Sequence, residues 1–458
     1  MNSIEQEYEH ERLGKLLIKF SVPSVISLVL NAVYNMVDQI FIGNGVGYLG
    51  NGATNVIFPM TMLAIAIGLL IGDGTAGYIN LMLGKGERED AEKGMAAGLA
   101  ALVVSGLILS VGLTIFLEPL CRLFGATDDI MPYALDYGYI IVAGTIFNLF
   151  PCGAMSIVRG NGGPKTAMLS MLTGFTINII GDPLTIYVFH WGVKGAALAT
   201  VLGQAASAAI CIGYIAGGHG MVKLSKKSFS GCAKYVPKTA KLGLASFVTQ
   251  IAVVVVLYFQ NNLLVKYGAL SKYGAEIPLT ALGVTMKVFT LLQNAITGLC
   301  SGAQPVISYN YGRALYSRVR QVLKLLVLIS AGLMGLATIW FQAAPMSIVR
   351  IFGSSDPLYN EFSVKCLRIF LMLIFLDSFQ MVATSLLQSI GKPIPAMALI
   401  MFRQIIVQIP AMLILGKIFG VDGLLYAGAL SSLLVGIISI AALIAEWRKL
   451  GRMQHVSV

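Results

Sequence analysis

The chain reads as long apolar runs broken by short polar stretches. Windows of about 20 mostly apolar residues, the length a helix needs to cross a bilayer, recur twelve times. They fall at 16–42, 53–81, 94–117, 133–156, 167–190, 196–216, 240–265, 279–308, 324–344, 364–387, 396–418 and 423–445, numbered here spans 1 to 12. The pattern predicts an all-α integral membrane protein. Polar residues inside the spans are grouped. In span 1, Asn31, Tyr34, Asn35 and Asp38 recur at helical spacing and form one polar stripe. In span 5, Asn178 and Asp182 stand four apart on one face, and Thr200 in span 6 can add a hydroxyl. Pro23 and Pro183 each remove a backbone donor within a span and predict local distortion.

Basic residues set the orientation. Of the 32 Lys and Arg residues, 22 lie at or beyond span ends on the side of the two termini, eight do so on the other side, and only Lys287 and Arg403 lie deep within spans. The positive-inside rule then places both termini in the cytoplasm of a multi-pass protein.

The two halves repeat at an offset of about 228 residues. Leu123-Phe-Gly-Ala-Thr-Asp128 recurs as Ile351-Phe-Gly-Ser-Ser-Asp356, and Gly192-Val193-x-Gly195 recurs as Gly420-Val421-x-Gly423. Gly162, Pro164 and Met168 return as Gly391, Pro393 and Met397. Span 1 matches span 7 with Asp38 opposite Gln260. Six spans per half bring the chain back to its starting side, so the halves insert with the same orientation, related by an axis along the membrane normal. The expected division is an N-lobe over 1–225 and a C-lobe over 226–458. Such repeats place a substrate site at their interface and work by rocking of one half against the other, which points to transport.

Composition narrows the class. Hydrophobic residues make up 57% and charged residues 12%, against about 25% charged in soluble domains. That excludes disorder and an ordinary cytosolic enzyme, and makes the lipid bilayer the expected surrounding. The net charge of +11 is spread over loops, including the run Lys223, Lys226, Lys227, Lys234 and Lys238, so no nucleic-acid partner is expected. Six cysteines without C-x-x-C spacing read as packing residues. Glu5, Glu7, Glu9 and Glu11 are the wrong sign for a cleaved signal peptide. There is no G-x-x-x-x-G-K-[ST], no H-E-x-x-H and no G-x-S-x-G, so neither an ATP-driven cycle nor an enzyme is expected, and no cofactor beyond a coupling ion.

An ionised Asp at mid-membrane costs roughly 2.5–3.5 kcal/mol, so each one needs a reason. Asp38, Asn178, Asp182 and Thr200 form a set of oxygens suited to a shared proton or a hard cation such as Na⁺, which makes them the candidate coupling site. Asp377 in span 10 leaves two readings open: an ion pair with Lys287, or attraction of a cationic substrate or coupling ion. Asp73 reads as the border of a wet vestibule, and Arg403 as the cap of a cytoplasmic-side network with Gln404. Tyr34, Tyr139, Phe147 and Phe289, with Gln260 and Asp377, are the candidate lining of a pliable substrate cleft.

Three segments carry a resemblance. Val37-Asp38-Gln-Ile-Phe-Ile-Gly43, Gly192-Val-Lys-Gly-Ala-Ala-Leu-Ala-Thr200 and Gly302-Ala-Gln-Pro305-Val-Ile-Ser-Tyr-Asn310-Tyr-Gly312 resemble the multidrug and toxic compound extrusion (MATE) family. The last points to its DinF-like and MepA-like bacterial branch. The resemblance spans essentially the whole chain. It implies two six-helix lobes opening outward as a V, and export of lipophilic organic cations in exchange for H⁺ or Na⁺ from a bacterial inner membrane. It also implies cation coupling at Asp38, Asn178, Asp182 and Thr200, and a hinge at Pro23. Gln260 at the position equivalent to Asp38 weakens a second coupling site in the C-lobe. Small cationic or amphiphilic drugs are the expected partners, and a monomer the expected state. Two rival readings are a flippase of lipid-linked or other amphiphilic substrates, which needs cations facing its cleft, and a membrane enzyme, which needs a polar catalytic cluster absent here.

Overall fold

The computed structural model describes residues 3–46, 48–124, 126–274, 276–351 and 357–456, without the side chains of 3–5, 35–40, 43–45, 48, 49, 51, 276, 351, 455 and 456. The side chains of Asn35 and Asp38, and the repeated segment 352–356, therefore lie outside the described residues. Within them the chain is helical, with no strand. Ten helices are long and apolar enough to cross a membrane, and two bent pairs supply one span each. Spans 1 to 6 are Leu13–Gly45, Tyr48–Lys85, Arg88–Ile115, the pair Met131–Ala143 and Thr145–Gly160, Pro164–Pro183 continued by Leu184–Val188, and Gly192–Ala216. Spans 7 to 9 are Val236–Ala269, Glu276–Gly312 and Tyr316–Ala343. Span 10 joins Pro357–Lys365 and Cys366–Phe370 to Ile374–Ser389, span 11 runs through Pro393–Met401, Phe402–Gln408 and Ile409–Phe419, and span 12 is Val421–Val456.

Most helices overrun their apolar windows. Span 12 continues past residue 445 through Glu446-Trp-Arg-Lys-Leu450 because hydropathy falls at the first charge, whereas Glu, Arg, Lys and Leu all favour a helix. Span 1 runs unbroken through Pro23. The breaks follow the repeat. Span 4 bends by 49° between Ala143 and Thr145, and span 10 by 48° between Phe370 and Ile374. The left-handed glycines that end or link helices are also paired: Gly162 (φ 92°) with Gly391 (φ 78°), and Gly192 (φ 56°) with Gly420 (φ 62°). A β-carbon is disfavoured in that conformation, which is why these positions hold Gly in both halves.

The first and last described helices reach the same end of the bundle, called here the terminal end, where Glu11 meets Arg318 and Trp447 meets Arg320. There the Ser3–His10 helix crosses from the first half onto the second. Tyr8 is fully buried between Phe20 and Tyr309, with ring centroids 5.3 and 5.4 Å away. Arg313 Nε donates to Glu9 (2.8 Å), as does the Tyr309 hydroxyl (3.0 Å), while Arg318 donates to the Glu11 carbonyl (2.8 Å). Burial alone would raise the Glu9 carboxyl pKa, but Arg313 and Tyr309 outweigh it and hold it below its usual value. The linker between the halves is fastened to the first half. Buried Asn161 donates to the Val222 carbonyl (3.1 Å) and accepts from the Val222 N–H (2.7 Å).

The halves meet closely near the terminal end. A Cβ on Gly243 of span 7 would overlap the Leu70 carbonyl of span 2, and one on Gly302 of span 8 would strike the Ser21 backbone of span 1. Ser21 Oγ donates to the Leu299 carbonyl (3.0 Å), and Asn294 Nδ2 to the Leu28 carbonyl (3.2 Å). Farther out, on the same face of span 8, Leu291 is 39% exposed and Lys287 is exposed. Spans 1 and 8 therefore touch at the terminal end, and beyond Asn294 the same face of span 8 is exposed.

Candidate ion-coupling site and cleft

Spans 5 and 6 are drawn together by small residues. Ser170 and Ser207 exchange hydroxyl-to-carbonyl hydrogen bonds of 2.8 Å, and a Cβ on Gly174 would overlap Ser207 Oγ. This approach brings Thr200 to Asn178. Asn178 Nδ2 donates to Thr200 Oγ1 (2.9 Å) and to Asp182 Oδ1 (3.2 Å), while the Thr200 hydroxyl donates to the Ala196 carbonyl (3.0 Å). Asn178 is 2% and Asp182 0% exposed. Asn178 Oδ1 is buried and accepts no hydrogen bond among the described residues. Buried acceptors are rarely left so, and an extra cation or water would satisfy it. After Pro183 the helix widens into the π segment Leu184–Val188, and Thr185 returns its hydroxyl to the Gly181 carbonyl (2.9 Å). Such widenings recur at functional sites.

Span 1 borders this cluster. Tyr34 stacks on Phe175 at 4.5 Å and 11°, and the Tyr187 hydroxyl donates to the Phe41 carbonyl (3.2 Å). Asp38 lies between those two attachments on the helix, and its side chain is outside the described residues. The structure thus unites Asn178, Asp182 and Thr200, with Tyr34 alongside.

The second half holds its acid differently. Arg403 Nη2 lies 2.9 Å from Asp377 Oδ2, and its Nη1 donates to Gln380 Oε1 (2.9 Å). The side chains are 11% and 1% exposed for Arg403 and Asp377. Two expectations are corrected here. Asp377 is neutralised by Arg403, not by Lys287, and Arg403 reaches across to span 10 instead of capping a network with Gln404. Arg403 enters from the π segment Phe402–Gln408 of span 11, a distortion invisible to helical periodicity. Lys287 makes no ion pair among the described residues. It lies seven residues from Asn294 on the face of span 8 that meets span 1.

The remaining candidates separate. Tyr139 and Phe147 are 48% and 42% exposed on either side of the Gly144 bend. Gln260 and Phe289 are 3% and 5% exposed, so both are buried. Pro23 is buried at the level where spans 1 and 8 touch.

One polar group escaped the sequence reading as a contact between halves. Asp73 accepts from Ser246 Oγ (2.8 Å) on span 7, which in turn accepts from Gln388 Nε2 (3.1 Å) on span 10. Ser156 and Arg159 of span 4 and Ser301 and Gln304 of span 8 gather round Asp73 at the same junction between the halves. Asp73 stands between Gly72 and Gly74, both at sites of close helix approach. Those flanking glycines were the available signal.

Comparison with known proteins sets these features in a lineage. The profile described as MatE matches residues 23–184 and again 251–414, segments that begin 228 residues apart. The chain is 24% identical over 424 residues to the multidrug export protein MepA of Staphylococcus haemolyticus, covering 92% of this chain and 91% of that one. MepA of Staphylococcus aureus strain MRSA252 is 23% identical over 425 residues, with 92% of each covered. Among solved structures, one described as the outward-facing conformation of a multidrug resistance MATE family transporter of the MOP superfamily superposes with a TM-score of 0.90 at 21% identity, covering 99% of both chains. A MOP superfamily transporter from Pyrococcus furiosus, described as having a binding pocket of reverse polarity, gives a TM-score of 0.89 at 21% identity, covering 98% of this chain and 99% of that one.

Proposed function

The chain belongs to the MatE family of membrane transporters, and on that premise we propose that it is a secondary-active exporter of lipophilic organic cations and drugs in exchange for H⁺ or Na⁺. The observation that carries this reading is the buried Asn178–Asp182–Thr200 cluster beside span 1. Its oxygens can hold a proton or a hard cation, since Na⁺ and H⁺ both seek carboxylate and amide oxygens. The relatives named multidrug export proteins support the direction and breadth of transport. In this proposal the terminal end faces the cytoplasm, by the excess of Lys and Arg there. The halves, closed at that end and parted beyond Asn294, form an outward-open cleft. Binding of the ion at Asp182 favours closure of the outer end, and its release inward resets the cycle.

The test is ethidium efflux from proteoliposomes with an H⁺ gradient or a Na⁺ gradient imposed separately. Efflux is expected under at least one gradient and to vanish in Asp182→Asn. Wild-type rates in Asp182→Asn, or no response to either gradient, would overturn the reading.

Lys287 favours a second reading. A cation on the cleft-facing side of span 8, with no ion pair among the described residues, suits an amphiphile with an anionic group, as in the flippase alternative. Running the same assay with an anionic dye in place of ethidium separates the two.

A further inference from the structure

On the outer side of the second half, spans 9, 10 and 12 frame a groove unrelated to the cleft. It holds about 460 Å³, within the ~300–1,000 Å³ of typical ligand sites. Its polarity is graded along its length. Lys324 of span 9 and Arg448 of span 12 stand at the terminal end, next to Trp447. Leu328, Phe379 and Ile444 continue it toward the membrane centre. From Arg448 to Ile440, the outermost lining residue on span 12, the helix rises roughly 12 Å at 1.5 Å per residue.

The charges at the mouth are not matched from within the chain. Lys324 and Arg448 are exposed and form no ion pair among the described residues. Arg320 lies over the Trp447 ring at 4.7 Å, and its buried Nε has no acceptor among the described residues. The nearby carboxylate of Glu446 is taken by Lys392. A basic mouth, an interfacial tryptophan and an apolar floor running inward match a phosphate headgroup followed by an acyl chain.

We propose that this groove binds one anionic phospholipid of the leaflet at the terminal end, its phosphate on Lys324 and Arg448 and a chain laid along Leu328, Phe379 and Ile444. Phe379 sits on span 10 between Asp377 and Gln380, the two groups that hold Arg403. The lipid therefore backs the helix that carries the second-half ion pair. The proposal is independent of which substrate the cleft exports.

Native mass spectrometry of the full-length protein in detergent, titrated with phosphatidylglycerol or with phosphatidylcholine of the same chains, tests it. The expected result is one retained phosphatidylglycerol per chain and weaker retention of phosphatidylcholine. The Lys324→Gln/Arg448→Gln double variant should bind phosphatidylglycerol about 30-fold more weakly, the combined effect of two basic side chains at an anionic headgroup. Leu328→Trp, which fills the groove and keeps both charges, should also lose the adduct. Equal retention of the two lipids, or wild-type retention by the double variant and by Leu328→Trp, would overturn the proposal. So would displacement of phosphatidylglycerol by inorganic phosphate, which would show that the mouth reads phosphate alone.

Discussion

Asp182 and Asp377 are both buried acids in spans of matched halves, yet they are held by different chemistry. Asp182 receives a hydrogen bond from an amide, Asn178, whose dipole steadies a carboxylate without cancelling its charge. Asp377 faces the Arg403 guanidinium at 2.9 Å, a fixed cation that occupies the place a mobile one would need. The first arrangement suits a site that exchanges ions; the second suits a strut. The two acids are not repeat equivalents: at the offset of 228 residues Asp182 falls on Pro410 and Asp377 on Leu149, so each half carries its acid in a span where the other has none at that position. The contrast also explains why polarity within a membrane is an incomplete guide: cost alone does not distinguish a working acid from a neutralised one.

The sharpest way to break the contrast is to remove each charge in turn. Asp182→Asn, and likewise Asp38→Asn, should reduce gradient-driven efflux to the leak rate while expression and thermal stability in detergent stay near wild type. Asp377→Asn should do the reverse in emphasis. Losing one partner of a buried pair costs about 3–5 kcal/mol, so its melting temperature should fall clearly, and the double variant Asp377→Asn/Arg403→Met should recover most of the loss. If Asp377→Asn instead leaves melting unchanged and abolishes efflux, the two acids are functional equals and the contrast fails.

Smaller effects sharpen it. Gly243→Leu forces a side chain against the Leu70 carbonyl, an overpacking worth about 1–3 kcal/mol that acts only where the halves are closed. It should increase the labelling of a cysteine introduced at Ser246, on the terminal side, by membrane-permeant maleimide. A further test concerns the amino-terminal helix. Because Glu9 has a lowered pKa when folded, its contribution is present above the ordinary carboxylate value of 4.5 and fades as pH falls through the folded value. Protection factors for hydrogen exchange over residues 3–10, with the intrinsic pH dependence of exchange divided out, should thus be high at neutral pH and fall in acid, and Glu9→Gln should remove that fall. The smallest change is expected for Lys287→Gln: a few-fold shift in the ratio of anionic to cationic dye efflux, with little effect on melting.

Much of the architecture was legible because a bilayer leaves few options. Span number, the equivalence of the halves and the proximity of Asn178 to Asp182 follow from hydropathy, repetition and the four-residue spacing. Thr200 was also placed with them, through its position in span 6. The partner of Asp377 was not legible. Arg403 and Lys287 are both lone cations in spans of the same half, and only the π segment of span 11 decides which one reaches across. Phe289 and Gln260 show a similar limit. An aromatic or amide on an apolar helix does not announce how deeply it packs, and these two are buried at 5% and 3% exposure. Asp73 was read by its depth in the span, whereas its meaning lies in Ser246, 173 residues later.

The glycine contacts where spans 2 and 7 and spans 1 and 8 meet have a kinetic corollary. Where glycine brings main chain against main chain there are fewer side chains to unthread, so parting the seam at those points rests mainly on releasing hydrogen bonds such as Ser21 to Leu299 and Ser246 to Asp73. A seam of that kind seals tightly yet unzips as one smooth plane. A shuttle that must reseal at every turnover gains speed from such a seam without becoming leaky.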